Sequence, residues 1–204
     1  MPSATVQLVH NEVMTEGRIR SDIRTQLARL FGSRAGTLLV EEMEICAGKA
    51  RIDMAIVCDR LIGIEIKGPK DDLYRLPGQV DHYSKCFDIV VLVVHEKLAA
   101  DALELIPSWW GVVTGSELSG SYSYTLKRRP TRNKHAELDA LLALLWKDEI
   151  GCLWATLLEG IPPSRASKKE LRSQLLSRAP ARRLRTASID LLRRRRNWRS
   201  SPIC

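Results

Sequence analysis

The amino-acid sequence predicts an α/β fold. Its core is one helix, a three-strand meander, a second helix and a further strand in a mixed sheet, and a basic helical extension follows. Three observations predict this fold class. Residues 16–31 have a helical apolar period, four short apolar runs lie between residues 37 and 94, and a strongly basic segment begins after residue 163. Apolar residues recur about every 3.6 positions in amphipathic helices and every two in half-buried strands, which locates both kinds of element.

The first elements are a helix and three consecutive strands. Apolar residues recur at intervals of three and four across residues 16–31, and Gly32 is placed to end that helix. The runs at 37–45, 51–57 and 61–67 are separated only by the turn-like segments CAGKA and CDR. We therefore predict that these runs form an antiparallel meander.

A second helix and a fourth strand follow the meander. Leu76, Val80 and Tyr83 recur at intervals of three or four, and Pro77 is tolerated in the first turn of a helix. The run DIVVLVV, residues 88–94, is continuously apolar and predicts a strand that is covered by protein on both faces. These two segments complete the predicted core.

The sequence beyond residue 107 predicts one more strand and several helices. SWWGVVTG is expected to add an edge strand, and the polar residues 116–134 to form a connector. Residues 135–158 are apolar enough for a helix or helix pair packed against the core. SKKELRSQLL begins with a capping box from Ser167 to Glu170, which predicts a helix start, and ASIDLLRRRRNWRS predicts a short basic helix.

The formal charge of +8 is concentrated near the C-terminus. From residue 164 onward the chain has thirteen Arg or Lys against two acidic residues, whereas the preceding part has nineteen against twenty-two. This asymmetry predicts an appendage that binds a polyanion such as nucleic acid, the alternative being a solvated helical face. We predict a core at 15–115, a connector at 116–134 and an arginine-rich extension at 135–204, whose part beyond residue 163 is separable from the core.

Several classes of protein are excluded by what the sequence lacks. The N-terminal residues have no basic segment followed by an apolar run, and the longest apolar run, IVVLVV, is far shorter than the roughly 20 residues of a membrane helix. We therefore expect a soluble, cytoplasmic protein that binds no membrane. Five scattered cysteines without a Cys-x-x-Cys pair argue against a disulfide framework or a zinc site, and Cys58 and Cys86 are expected to be small buried residues.

The third predicted strand, LIGIEIK, places charged residues in a segment that otherwise has the composition of a buried strand. Because side chains alternate along a strand, Ile62, Ile64 and Ile66 face one way while Glu65 and Lys67 face the other. A carboxylate and an ammonium are therefore expected together on one face of the sheet.

The preceding strand contributes a second carboxylate. By the same alternation Ile52, Met54 and Ile56 share one face, and Asp53 lies on the opposite face. If the two strands pair across the CDR turn, Asp53 and Glu65 converge on one side of the sheet.

Two carboxylates beside one ammonium leave an excess of negative charge, which a divalent metal ion would balance. Oxygen ligands without histidine or cysteine suit magnesium or manganese, which retain water and accept phosphate oxygens. Such an ion can polarise a phosphodiester and activate water, while Lys67 positions that water or stabilises the developing charge. The pattern therefore predicts phosphodiester hydrolysis.

These residues resemble the signature of the PD-(D/E)XK, or restriction-endonuclease-like, nuclease superfamily. Its pattern is an acid on the second core strand followed by Glu-x-Lys on the third, here Asp53 in RID and Glu65 and Lys67 in EIK. QVDHY, with Gln79 and Tyr83 on one helical face, resembles the motif of the RecB-like branch. The segments DIR, RLPGQVDHYSKCFD and WWG are similar to those of an uncharacterised bacterial family in this superfamily.

The resemblance implies a metal-dependent nuclease with Mg²⁺ or Mn²⁺ as cofactor and nucleic acid, favouring DNA, as substrate. Asp53 and Glu65 would hold the metal, and Lys67 would position the attacking water. Gln79 and Tyr83 would support the site and contact the phosphate backbone.

A further metal ligand is expected on the first helix or the first strand, and three acids are candidates. Asp22 in SDIR is the family-like position, although it lies at the flank of the apolar stripe. Glu16 lies nearer the centre of that stripe, and Glu42 is on the first strand. The sequence leaves the choice among these acids open.

Two other functions remain open at this stage. One is a nucleic-acid-binding module on the same fold that has no turnover, and the other is an interaction subunit of a homo-oligomer or of a larger repair or defence assembly. Trp109 and Trp110 are expected to pack in the core rather than to stack on bases, and His82 and His95 to be structural.

Overall fold

The computed structural model of the protein describes residues 5–9, 16–31, 37–118, 121–195 and 198. These residues contain one seven-stranded sheet and seven α-helices. The strands are β1 (Thr5–Val9), β2 (Leu38–Ile45), β3 (Ala50–Val57), β4 (Leu61–Lys67), β5 (Ile89–His95), β6 (Gly111–Leu118) and β7 (Ser121–Arg128). The helices are α1 (Glu16–Phe31), α2 (Leu76–Cys86), α3 (Ala99–Leu105), α4 (Leu138–Ala143), α5 (Lys147–Leu157), α6 (Lys168–Arg178) and α7 (Ala181–Arg194).

The sheet has the strand order β1-β7-β6-β5-β4-β3-β2. β4 pairs with β5 and β5 with β6 in parallel, and all other neighbouring strands are antiparallel. α2 connects the parallel strands β4 and β5, as the crossover helix of a βαβ unit does. The order helix, three-strand meander, helix, strand in a mixed sheet confirms the predicted α/β, restriction-endonuclease-like fold class.

One face of the sheet is covered by α1. The helix has the bounds predicted from its apolar period, and Ile19 and Ile23 belong to one apolar cluster with Met54, Ile64 and Ile66 of the central strands. The isoleucines that alternate along β4 therefore face α1, as their period of two requires.

The other face carries α2 and the C-terminal helices. Buried side chains of the sheet and of these helices form one apolar cluster that extends from Val40 to Leu192 and includes Phe87, Leu145 and Leu175. Each fully buried leucine contributes roughly 1.5–3 kcal/mol to folding. The C-terminal helices are thus part of the same core as the sheet, which differs from the expectation of a separable extension.

The segment 116–134 contains a strand and is not only a connector. β7 pairs with β6 on one side and with β1 on the other, so β6 lies inside the sheet and is not the predicted edge strand. Serine and tyrosine alternate in SYSYTLKR, and the buried Tyr124 gives this polar strand an inward face. Beyond β7, the Asn133 side-chain amide donates to the carbonyls of Ser84 at 2.6 Å and Phe87 at 2.8 Å, which anchors the chain to the end of α2.

The predicted C-terminal helices are present, with one change of bounds. Residues 135–158 contain the pair α4 and α5, and α6 begins at the predicted capping box. In that box Ser167 Oγ accepts the Glu170 N–H at 3.2 Å, and the Ser167 N–H donates to the Glu170 carboxylate at 2.7 Å. α7 begins at Ala181, six residues before the predicted basic helix, and ends at Arg194. None of the described helices is long and apolar enough to cross a membrane.

The alternation of side chains fails at one point in β3. The ladder between β2 and β3 omits Glu42 opposite Asp53, because the Glu42 backbone is left-handed with φ of +54°. Ile52 consequently joins the apolar cluster on the α2 face, whereas Met54 and Ile56 pack towards α1. The prediction that these three residues share one face is therefore wrong.

Gly63 of β4 makes room for the displaced Ile52 side chain. A Cβ on Gly63 would lie 2.5 Å from Ile52 Cδ1 and 3.0 Å from Phe87 Cγ, so any larger residue would require the Ile52 side chain to shift. The ladder between β3 and β4 ends at the pair Met54 and Ile64. The two strands therefore part on the side of the sheet where the predicted site residues lie.

Candidate functional site

A cleft of about 970 Å³ opens where β3 and β4 part. Residues of α1, β2, β3, β4, the loop 68–75 and α2 line it. Five cationic and five acidic side chains of the described residues contribute to this lining. A cleft of this composition suits a charged, polar ligand rather than an apolar one.

Glu65 is a buried carboxylate at the floor of the cleft, only 3% exposed. Its Oε1 accepts from Lys67 Nζ at 2.9 Å and from Gln79 Nε2 at 2.7 Å. Its Oε2 accepts from the Tyr83 hydroxyl at 2.7 Å. A buried charge is tolerated only when it is paired and hydrogen-bonded, and these three donors meet that requirement.

Tyr83 supplies its hydroxyl from within the core. Its Oη lies 2.7 Å from Glu65 Oε2 and 2.8 Å from the Arg51 carbonyl oxygen, and we assign its single proton to Glu65 because the charged acceptor forms the stronger bond. The ring stacks on Trp110 with centroids 6.0 Å apart, and the complete burial of Trp110 confirms its predicted packing role. Burial, and then the charge of Glu65, raises the pKa of Tyr83 far above its ordinary value, so the hydroxyl remains a donor.

Asp53 is held by both the backbone and an arginine. Its Oδ2 accepts the Ile66 N–H at 2.8 Å, which is available because β3 no longer pairs with β4 at this point. Its Oδ1 accepts from Arg20 of α1 at 2.8 Å, and the same guanidinium donates to Glu42. Glu42 also forms an ion pair with Arg51 at 2.7 Å. The acids on this side of the cleft are therefore neutralised by arginines.

The structure brings the predicted site residues together. Asp53, Glu65, Lys67 and Gln79 line one cleft, and Tyr83 reaches it through its hydroxyl. Within the part of the chain that the structure describes, no group of three or more His, Cys, Asp or Glu side chains is arranged to hold a metal ion.

The three candidates for a further acid are separated by the structure. Asp22 is buried, accepts from the Tyr124 hydroxyl at 3.1 Å, and is not part of the cleft lining. Glu42 lines the cleft and shares Arg20 with Asp53. The side chain of Glu16 lies outside the described residues.

Several residues that line the cleft are not predicted from the sequence, and they are Arg20, Tyr74 and Arg75. His82, for which the sequence predicts only a structural role, also lines the cleft. Arg20 directly follows a buried residue of α1 and so lies at the flank of its apolar stripe, a position that could have indicated it. Tyr74 and Arg75 lie in the loop before α2, whose course has no sequence signal.

The arginines of the basic extension are divided between the core and the surface. The buried Arg195 pairs with Glu149 and lies between the indole rings of Trp146 and Trp198, at 4.1 and 4.4 Å from their centroids. Arg185 pairs with the buried Asp88. Arginines without such a structural role are exposed on α7, and they are Arg182, Arg183 and Arg194.

Comparison with known proteins gives similarities of different extent. Protein cII of Enterobacteria phage P4 is 25% identical over 119 residues, which is 58% of this chain and 45% of that protein, so the chain spans less than half the length of this curated relative. Among solved structures, the SPO1766 protein of unknown function from Silicibacter pomeroyi is 20% identical, with a TM-score of 0.41, over 61% of this chain and 78% of that one. Pyrococcus furiosus SfsA, solved in complex with Ca²⁺, is 15% identical, with a TM-score of 0.36, over 59% and 69%.

Structural similarities of this extent support no conclusion about function. The sequence match to a family is more extensive, because the model of the family described as bacteriophage P4 protein cII matches residues 10–202. The chain therefore belongs to the bacteriophage P4 protein cII family.

Proposed function

We propose that the protein is a metal-dependent nuclease of the PD-(D/E)XK superfamily, RecB-like branch, that hydrolyses phosphodiester bonds in DNA. The observation that carries the proposal is the position of Asp53, Glu65 and Lys67 in one cleft, with Gln79 and Tyr83 bonded to Glu65 from α2. A buried carboxylate and ammonium contribute little to stability beyond what apolar residues would contribute. Ionisable groups buried together in a cleft are more typical of a site of chemistry.

The donors in the cleft fit a magnesium or manganese ion. Magnesium is commonly held by one or two carboxylates together with water and substrate phosphates, so Asp53 and Glu65 suffice without a larger protein cage. An ion at Asp53 would compete with the Arg20 guanidinium, whose positive charge it would replace. When bound, the ion would polarise the scissile phosphate and make a bound water a better nucleophile.

Lys67 is the residue that we assign to the attacking water. The residue is 4% exposed, and its ammonium is fixed 2.9 Å from Glu65 Oε1, so its position is set by the protein and not by solvent. A fixed charge in a water-poor site stabilises developing negative charge more strongly than a mobile one. Gln79 and Tyr83 are positioning residues, because they act by holding Glu65.

Cations at the rim of the cleft would bind the substrate backbone. Lys49, Arg51 and Arg75 are exposed and line the cleft. Phosphate contacts of this kind fix the position of a strand without reading its sequence.

A nucleic-acid-binding module without turnover is the second candidate function. The observation that favours it is the Arg20 guanidinium, which pairs with both Asp53 and Glu42 and so neutralises these acids without a metal ion. In such a module the acids would stabilise the arginine, and the cleft would bind phosphate through its rim cations.

Cleavage assays on the purified protein separate the two functions. Linear, circular, single-stranded and branched DNA are each incubated with Mg²⁺, Mn²⁺ or a chelator. The nuclease predicts cleavage with either ion and none with the chelator. Salt-sensitive binding without cleavage under any of these conditions would instead support the binding module.

A further inference from the structure

Tyr74 has an unusual environment for an aromatic side chain. It is 91% exposed, and it lies on the rim of the cleft that contains Glu65 and Lys67. Among the aromatic side chains that the structure describes, it is the single one that is almost wholly exposed. Aromatic rings are large apolar groups that usually gain by burial, so a ring in this position is suited to a contact that forms on binding.

The loop that carries Tyr74 is ordered by its own hydrogen bonds. The Asp72 carboxylate accepts the Tyr74 N–H at 3.1 Å, and the Leu73 carbonyl accepts the Leu76 N–H at 3.0 Å. Leu73 and Leu76 on either side are packed against the apolar core. Earlier in the loop, the Asp71 carboxylate accepts a backbone N–H at 2.6 Å. The exposed ring therefore projects from a backbone that is already fixed.

Cations accompany the ring on the same rim. Arg75 follows Tyr74 directly, and Lys49 lines the cleft from the turn between β2 and β3. Within the described residues, no carboxylate forms an ion pair with Arg75 or Lys49. An apolar ring that shares one cleft with cations lacking an ion-pair partner among the described residues suits a nucleic acid strand, in which bases and phosphates alternate.

We propose that Tyr74 is a stacking platform for an unpaired nucleobase, so that the cleft takes single-stranded DNA or a frayed end in preference to intact duplex. The inference rests on the proposed function and names the substrate form for the same site. In a duplex both faces of each base are covered by neighbouring bases, and an exposed ring has no base face to contact. Rim cations alone would bind either form through phosphates, whereas the ring adds a contact that only an unpaired base can make.

The test measures binding without turnover. The probe is an oligothymidylate of about twelve nucleotides, within the site size of common single-strand binders, with one central 2-aminopurine whose fluorescence falls on stacking. All measurements are made in chelator. We expect wild type and Tyr74→Phe to quench the probe and Tyr74→Ala not to do so. Tyr74→Ala should weaken single-strand binding by about five- to a hundredfold, and binding of the matching duplex by less than about twofold.

Ile161→Ala is the matched control, because Ile161 is 93% exposed but does not line the cleft. It should leave both affinities unchanged. Equal losses on single strand and duplex, or no loss on either, would overturn the platform. A change in oligomeric mass of Tyr74→Ala without a change in DNA binding would also overturn it and would make the ring a protein contact.

The outcome is separable from that of the proposed function. Quenching by wild type that Tyr74→Ala abolishes, together with no cleavage under any metal condition, would support the platform and remove the nuclease. Metal-dependent cleavage with normal single-strand binding by Tyr74→Ala would support the nuclease and remove the platform.

Discussion

At the scale of single residues, the positions of Glu42 and Asp22 indicate which of these two acids influences metal binding at Asp53. Glu42 shares the Arg20 guanidinium with Asp53, whereas Asp22 is bonded to Tyr124 outside the cleft. We expect Glu42→Gln to raise the Mn²⁺ concentration for half-maximal cleavage by about tenfold, because Arg20 then binds Asp53 more tightly and a metal ion competes less well for that carboxylate.

Asp22→Asn is the isosteric comparison for that measurement. Its amide oxygen can still accept from the Tyr124 hydroxyl, and the residue does not line the cleft. We expect a metal requirement within about twofold of wild type, far below the tenfold change expected for Glu42→Gln. A larger shift for Asp22→Asn than for Glu42→Gln would exchange the roles of the two acids.

A second prediction at this scale concerns pH and Cys86. Burial, followed by the nearby Cys46, raises the pKa of the Cys86 thiol, so the folded protein holds this proton more tightly than the unfolded chain. The resulting stability is fully present below the ordinary thiol pKa of about 8.5 and is lost as the pH rises above it. Between pH 8.5 and 10, in reductant, the free energy of unfolding should therefore fall in both proteins. The fall should be about 1–2 kcal/mol smaller for Cys86→Ala, which has no buried thiol at this position, than for wild type.

Urea unfolding across this pH range makes the measurement. Cys152→Ala, a substitution at an exposed cysteine, is measured in parallel. Parallel profiles for Cys86→Ala and wild type would mean that Cys86 titrates as it does in the unfolded chain.

That Asp53 and Glu65 line one cleft could be predicted from the sequence, because the tight turn between β3 and β4 brings these two positions opposite each other. The inward position of Ile52 could not, because it depends on the left-handed backbone of Glu42, which is not a glycine. The position of Arg20 at the flank of the apolar stripe is visible in the sequence, but its pairing with Asp53 and Glu42 is not, since that depends on how α1 lies across the sheet. Periodicity specifies which face a residue is on only where the strand is regular, and it does not specify which side chains of distant elements meet there.

At the scale of elements, Gly63 couples the core to the site. A Cβ at this position would collide with Ile52 and Phe87, at 2.5 and 3.0 Å. We expect Gly63→Ala to destabilise the fold by about 1–3 kcal/mol, the usual cost of overpacking, when measured by urea unfolding. Gly17→Ala is the control, because Gly17 lies in the first turn of α1 with no atom within 4 Å of its added Cβ, and it should not destabilise the fold. A neutral Gly63→Ala would show that Ile52 is free to move.

The elements with strong periodicity were accessible from the sequence, and β7 was not. α1, the meander and β5 have apolar residues at regular spacing, which burial imposes directly. β7 is rich in serine, and its strand conformation depends on pairing with β1 and β6 on both sides. This pairing forms only when the whole sheet assembles, and it leaves no apolar period in the sequence of β7. The polar composition of residues 116–134 therefore predicted a connector.

At the scale of the whole molecule, the C-terminal helices hold the fold together through ion pairs as well as apolar packing. Arg195 is 7% exposed and pairs with Glu149, which is 5% exposed. Arg195→Ala should therefore destabilise the protein by about 3–5 kcal/mol, because it leaves a carboxylate buried without its partner. Its exposed neighbour Arg194 provides the control, since Arg194→Ala should change stability by at most about 0.5 kcal/mol. Equal effects of the two variants in urea unfolding would contradict the structural role of Arg195.

The arginines of the basic extension consequently have two roles, one in folding and one available for binding, which the net charge of the segment does not separate. Arg185 and Arg195 neutralise buried acids, and only the exposed arginines of α7 are available to a polyanion. The net charge predicted a nucleic-acid-binding appendage, but the division of its arginines required the packed structure. Removal of the chain beyond residue 163 would expose the apolar cluster, so point substitutions are the appropriate test of DNA binding.

The single-turnover rate of DNA cleavage by Lys67→Met tests the central claim most directly. Lys67 is assigned to the chemical step and not to metal binding, so we expect the rate to fall by about a hundredfold or more, with Mn²⁺ binding retained. Circular dichroism tests whether the variant is folded. Lys85→Met is the control, because Lys85 is exposed on α2 and does not line the cleft, so this variant should cleave DNA as wild type does. Cleavage by folded Lys67→Met at the wild-type rate, with the same metal dependence, would contradict the assignment of this cleft as the active site.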